Sequence, residues 1–303
     1  MFGNPFVQQR SESTKGILFA LAAFTFWGIA PIYFKAVADV PPLEVLAHRI
    51  LWSVLLLMGL ITIARQWTLT RDLLRDPRKL KLLLLSALLV AANWLTFIWA
   101  VANERILETS LGYFINPLVN VLLGMLFLGE RLNRGQTIAV LLALSAVGYQ
   151  LLVLGSIPMV ALILAFSFGF YGLVRKKVAV AAVPGLAIET LLLLPLCLAY
   201  LGYLVVQQRS SFSLQLPDTA ALLILAGVIT TVPLVWFNAA ATRLSLATVG
   251  FIQYLAPSIA FTIAITVYHE PFSHDKLVVF GIIWTALLVF SLDAWHQQRK
   301  RRL

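Results

Sequence analysis

Of the 303 residues, 60% are hydrophobic and 12% charged, against about 45 to 50% and about 25% in a water-soluble globular chain. At about 20 apolar residues per crossing this content fills roughly nine or ten membrane spans and excludes a separate soluble domain. A net charge of +10 would in a soluble chain suggest nucleic acid, but the basic residues lie between apolar runs and the aromatics inside them, which excludes such a partner.

Punctuation by charge, Pro and Gly divides the chain into ten candidate spans, about 16–35, 43–64, 81–102, 107–128, 135–153, 157–174, 185–206, 218–241, 247–268 and 276–295. The first is longer than the apolar stretch of about 7 to 15 residues in a signal peptide and is interrupted by Lys35 before the small residues Ala36 and Ala38, so it reads as a retained helix. Its Trp27 and Tyr33 are candidate substrate contacts or interfacial anchors.

The second span carries Glu44, His48 and Arg49. An ionisable group inside a span costs about 2.5 to 3.5 kcal/mol on insertion scales and normally faces a cavity or a partner. Two readings stand: His48 and Arg49 bind a polar or anionic substrate group with Glu44 tuning their charge, or Glu44 pairs with an outward-snorkelling Arg49. On the first reading His48, one turn from Glu44, makes transport pH-sensitive.

Further along, Asn93 and Trp94 in the third span and Tyr113, Asn116 and Asn120 on one face of the fourth are candidate cavity-lining groups, as are Tyr171 in the sixth and Gln253 and Tyr254 in the ninth. Ordinary interhelical hydrogen bonding is the alternative for these polar residues. Pro117 should free a carbonyl that can face the cavity. Gly129 should close the fourth span and Glu130 precede the N-terminus of the fifth. In the seventh, Glu189 either contacts substrate or pairs with the nearby Arg175, Lys176 and Lys177. Cys197 has no cysteine partner and reads as an inert thiol.

Connections such as Asp39 to Pro42 and Gly129 to Arg134 are short, so neighbouring spans run antiparallel. Eighteen Lys and Arg fall on the N-terminal side of the membrane, from Arg10 to the tail Arg299–Arg302, against Lys35, Arg105, Arg209 and Lys276 on the other. Positively charged loops resist translocation, which puts both termini in the cytoplasm. The chain also repeats itself. Arg105 to Gly112 resembles Arg243 to Gly250, Pro117 and Glu130 recur as Pro257 and Glu270, Trp27-Gly28 as Tyr171-Gly172 and Glu44 as Glu189. Five spans per half is an odd number, so the halves must be inverted, an architecture that recurs in secondary transporters.

Several motifs carry a family resemblance: Trp27-Gly28-Ile29-Ala30-Pro31, Glu44 to Arg49 with Trp52-Ser53, Asn93-Trp94, Ser110 to Asn120, Leu128 to Arg131 and Phe170 to Lys177. They are similar to the RarD family of the drug/metabolite transporter superfamily, over nearly the whole chain. The resemblance implies an all-α integral membrane fold of ten transmembrane helices as two inverted five-helix repeats of the EamA type, residues 1–153 and 154–303, and a carrier role. The expected function is therefore secondary transport of a small polar or amphipathic metabolite or drug by alternating access in a bacterial inner membrane. The expected partners are that small-molecule substrate, the lipid bilayer, and a coupling proton or counter-substrate. A membrane enzyme or lipid flippase is the alternative. No phosphate-binding loop, catalytic constellation, metal-ligand cluster or cofactor motif is visible, so neither enzymatic activity nor a cofactor is expected.

Overall fold

The computed structural model describes residues 5–103, 106–155, 157–213, 215–269 and 274–300. Arg105, Glu270, Arg301 and Arg302 lie outside the described residues. Everything regular among those described is helical: α1 (Pro5–Ala36), α2 (Pro42–Ile63), α3 (Trp67–Arg75), α4 (Pro77–Ala102), α5 (Ile106–Leu128), α6 (Arg134–Leu154), α7 (Met159–Val178), α8 (Ala182–Val206), α9 (Pro217–Ala241), α10 (Leu246–Gln253), α11 (Leu255–Thr266) and α12 (His274–Lys300). Among the described residues ten stretches are long and apolar enough to cross a bilayer, with α10 and α11 together forming one of them. The extra element, α3, is a short amphipathic helix inside what the sequence presents as a basic connection. Its Leu73 is buried while Trp67, Leu69 and Leu74 are exposed, as suits a helix lying at a membrane surface.

Helix ends follow local chemistry. Pro opens α2 and α9 at the first turn, where its missing N–H costs nothing. Gly129 and Gly155 close α5 and α6 in the left-handed conformation, at φ 66° and 68°. Asn133 and Gln136 form a reciprocal capping box at the start of α6. The ninth span breaks at Tyr254, three residues before Pro257, which donates no hydrogen bond to the Gln253 carbonyl and crowds it. Pro117, its counterpart by sequence, leaves α5 continuous.

With an even number of spans both ends of the chain emerge on one membrane face, here called the terminal face, and the other is the far face. The main helix pairs are α1 with α9 and α11, α2 with α8 and α9, α4 with α7, α5 with α7 and α10, and α6 with α12, with α4 also against α8. Each joins a helix of the first half to one of the second. Exchanging halves (α1 for α7, α2 for α8, α4 for α9, α5 for α10 and α11, α6 for α12) turns α1·α9 into α7·α4, α1·α11 into α7·α5 and α2·α9 into α8·α4. The pairs α2·α8, α5·α10 and α6·α12 map onto themselves. Small residues permit the closest crossings. A Cβ on Gly227 would lie 2.6 Å from the Trp52 carbonyl carbon and one on Gly250 2.8 Å from the Pro117 oxygen. The outward faces, with Leu126, Leu152, Leu196 and Leu288 exposed, are apolar as lipid requires.

Candidate functional site

Seven residues into α2, about 10 Å along its axis from the far-face end, Arg49 turns across the bundle rather than snorkelling outward. Its Nε donates to Thr230 Oγ1 of α9 at 2.8 Å. Its guanidinium carbon lies 4.8 Å from the centre of the Trp94 ring (α4) and 5.5 Å from that of Phe34 (α1). Tyr33 and Tyr113 are close enough to feel its charge. Tyr113 is 47% exposed and Arg49 is partly accessible, although both lie on helices packed inside the bundle. Both side chains therefore keep accessible surface beside the contacts they make. No carboxylate forms an ion pair with Arg49 among the described residues. A charge-assisted hydrogen bond of about 1.5 to 3 kcal/mol and two cation–π contacts of about 0.5 to 2 kcal/mol each offset the desolvation of the cation, but they bring no counter-charge.

Glu44 is occupied elsewhere. It is fully buried and accepts three hydrogen bonds from the α8–α9 connection: Ser210 Oγ at 2.9 Å, Ser211 N at 2.7 Å and Ser211 Oγ at 2.8 Å. It thus clasps that connection over the N-terminal end of α2 and makes no ion pair with Arg49 among the described residues, which corrects the second of the two sequence readings. His48 belongs to the same closure. Its Nδ1 accepts from Trp52 Nε1 at 3.2 Å and its ring stacks on Phe212 of the connection at 5.1 Å. Tyr33 helps hold α1 to α9, its hydroxyl donating to the Leu222 carbonyl at 3.0 Å.

A second polar region binds helices to one another. Asn116 donates to the Ala165 carbonyl at 2.7 Å, Asn120 to Asn116 Oδ1 at 3.2 Å and Gln253 Oε1 at 3.0 Å, and Tyr254 to the Phe114 carbonyl at 3.0 Å. All four side chains are buried. Asn93 ties α4 to α7 through the Leu164 carbonyl and Ser167, at 2.9 and 3.0 Å. Trp27 packs its ring against Phe24, Phe168 and Phe237.

Toward the terminal face, Glu189 of α8 meets Arg175 Nη1 of α7 at 3.2 Å and accepts from Ser86 Oγ of α4 and from Tyr171 at 3.3 Å. Asn238 Nδ2 in turn donates to the Tyr171 hydroxyl at 2.9 Å. Arg175 and Glu189 are 0% and 1% exposed. Gly185 leaves room for the guanidinium, because a Cβ there would collide with it. Nearby, Arg243 bonds Glu12 at 2.8 Å, beside a cleft of about 470 Å³ that Gln66, Val183 and Thr242 also line. Glu130 caps α10, accepting from Leu246 N at 2.8 Å and Ala247 N at 3.2 Å. That corrects the reading that it serves the neighbouring helix α6, whose cap is Asn133.

The structure thus gathers Trp94 and Tyr113 around the partly accessible Arg49, with the buried Tyr33 close by on α1. It distributes Glu44 and His48 to the far-face clasp, Asn116, Asn120, Gln253 and Tyr254 to a helix seam, and Tyr171 and Glu189 to a buried ionic network. Phe34 and Thr230 complete the surroundings of Arg49. Phe34 stands three residues after Pro31 and Thr230 three before Pro233, so a polar or aromatic residue about one helical turn from a Pro was the available signal.

Comparison with known proteins agrees with this architecture. The EamA-like transporter family profile matches twice, over residues 14–151 and 156–292. Protein RarD of Salmonella typhi is 51% identical over 290 residues, covering 96% of this chain and 99% of that one. Protein RarD of Escherichia coli (strain K12) is 50% identical over 289 residues, covering 95% and 98%. An uncharacterized transporter of Vibrio cholerae is 51% identical over 305 residues and covers both chains completely. A crystal structure superposes with a TM-score of 0.71 over 94% of this chain and 99% of the other at 17% identity, which supports the fold alone. Ten apolar spans, a profile matched by each half and full-length similarity to RarD proteins lead to one conclusion: the chain belongs to the RarD branch of the EamA-like transporter family and is a multi-pass membrane transporter.

Proposed function

We propose that the protein is a secondary carrier of the bacterial cytoplasmic membrane, moving a small amphipathic molecule with an acidic group by alternating access around Arg49. The observation that carries this reading is the uncompensated, partly accessible guanidinium at the meeting of α1, α2, α4 and α9. The two repeats, 1–153 and 154–303, are read as inverted copies. Support comes from the double family match and from a set of helix contacts that survives exchange of the halves. Alternation then consists of opening the far-face clasp of Glu44 on Ser210 and Ser211 and the terminal-face network of Glu189 in turn. The terminal face is assigned to the cytoplasm from the distribution of Lys and Arg. No catalytic role is assigned to any residue.

The experiment is counterflow in liposomes with purified protein, over a panel of labelled organic acids, amines and neutral metabolites. Wild type should exchange acids across the membrane, and Arg49→Gln should lose at least about tenfold in rate, the loss of about 1.4 kcal/mol of binding. Exchange by Arg49→Gln at the wild-type rate would end the assignment of the site.

A further inference from the structure

Resting on the reading that Arg49 is the central site, we infer that the preferred substrate is a monocarboxylate with a flat apolar body, carrying neither a second acidic group nor an ammonium group.

The site presents one fixed positive charge. The two buried carboxylates that could neutralise a substrate ammonium are both committed, Glu44 to Ser210 and Ser211 and Glu189 to Ser86, Tyr171 and Arg175. A zwitterion would bring a cation without an anionic partner, and a dianion a second charge without a cation. An unpaired ion in a low-dielectric interior carries a penalty of several kcal/mol, even after relaxation. A monoanion closes the count. A neutral molecule leaves the guanidinium as it was.

Shape follows from the same side chains. The Nε edge of the guanidinium is taken by Thr230, while its two Nη groups donate to no protein acceptor among the described residues. This leaves the Nη–Nη edge for a bidentate carboxylate, the geometry that the planar fork favours. Beside the fork stand the faces of Trp94 and Phe34, and farther along α4 and α5 the rings of Phe97 and Tyr113, 6.4 Å apart. Aromatic walls reward a planar apolar body with offset or edge contacts of about 0.5 to 1.5 kcal/mol per pair beyond its area burial. The Tyr113 hydroxyl makes no hydrogen bond to protein among the described residues and can serve a polar substituent on that body.

The test is equilibrium binding to full-length purified protein in detergent, which avoids passive leakage of acids through liposomes. Five probes separate the terms: benzoate, benzamide, phthalate, phenylalanine and acetate. Benzoate should bind at least about tenfold tighter than each of the others, the equivalent of about 1.4 kcal/mol. Arg49→Gln should reduce benzoate to the level of benzamide, and Trp94→Leu should weaken benzoate at least about tenfold. Arg49→Lys serves as the second variant should the glutamine protein fold poorly; it should bind benzoate less tightly yet keep its preference over benzamide. Benzamide, phthalate or phenylalanine binding as tightly as benzoate overturns the substrate class, as does acetate matching benzoate or no benzoate binding to thermally stable protein. If the tightest probe of another class still depends on Arg49, the central site survives and only the class falls. If benzoate binds and Arg49→Gln leaves it unchanged, both readings fail.

Discussion

Consider the consequence of replacing Glu189 by Gln. The carboxylate is 1% exposed and faces an Arg175 that is 0% exposed, with Ser86 and Tyr171 supplying further hydrogen bonds. Glutamine preserves the volume and one acceptor oxygen but aims an N–H₂ group or a weaker dipole at the guanidinium, leaving a buried cation without its counter-ion. Removing one member of a buried ion pair costs about 3 to 5 kcal/mol. At about 2 to 4 °C per kcal/mol for a chain of 150 to 250 residues, the unfolding midpoint should fall on the order of 10 °C in mild detergent. Arg175→Met should destabilise less, because Ser86 and Tyr171 still serve the carboxylate. The double variant should be more stable than the sum of the single losses implies, since the buried charge and its counter-charge leave together. A double-mutant cycle reads this directly. Additive losses, or a Glu189→Gln midpoint within about 2 °C of wild type, would refute the claim that this pair holds α7, α8 and α4 together.

Four further outcomes are expected. Glu44→Ala removes the acceptor of three hydrogen bonds from the α8–α9 connection, so hydrogen exchange at the Ser211 and Phe212 amides should accelerate at least about tenfold; unchanged protection would remove the clasp. Gly250→Leu drives side-chain atoms into the Pro117 carbonyl and should cost at least about 1 to 3 kcal/mol by overpacking, seen as a lower unfolding midpoint. Asp76, outside the spans, accepts from Lys79 N and Arg78 N, which holds its carboxyl below the usual aspartate range. Its support of the first turn of α4 is thus present above about pH 4 and lost as pH falls through the lowered pKa. Wild type and Asp76→Ala should therefore differ in exchange at Lys79 near neutrality and converge in acid, and a difference that persists in acid would exclude this cap. Finally, reporter fusions at Asp39, Asn133 and the C-terminus should report outside, inside and inside, and an external C-terminus would reverse the orientation.

The spans were legible because apolar runs of this length have one stable arrangement in a bilayer. The break at Tyr254 was not, since Pro117 and Pro257 match by sequence and only the second lies next to a break in its helix. Arg49 stood out as a cation inside a span, but its partners come from α1, α4 and α9, and no local spacing connects them. Glu44 misled for the opposite reason. Its near neighbours in sequence include His48 and Arg49, while its hydrogen-bond partners sit in a connection 166 and 167 residues away. Glu130 is a similar case, serving a helix start 116 residues downstream.

Because the strongest helix contacts run between halves, biosynthesis imposes a wait. Arg49 enters the membrane early, whereas Thr230, which accepts its Nε hydrogen bond, lies 181 residues later. At about 5 to 20 residues per second, roughly 10 to 40 seconds pass before that partner leaves the ribosome. Through this interval the first five spans expose to lipid the surfaces that later meet α7 to α12. Nascent chains halted near residue 153 should therefore remain beside the insertion machinery or be cleared by membrane proteases, and supplying the second half as a separate polypeptide should rescue them.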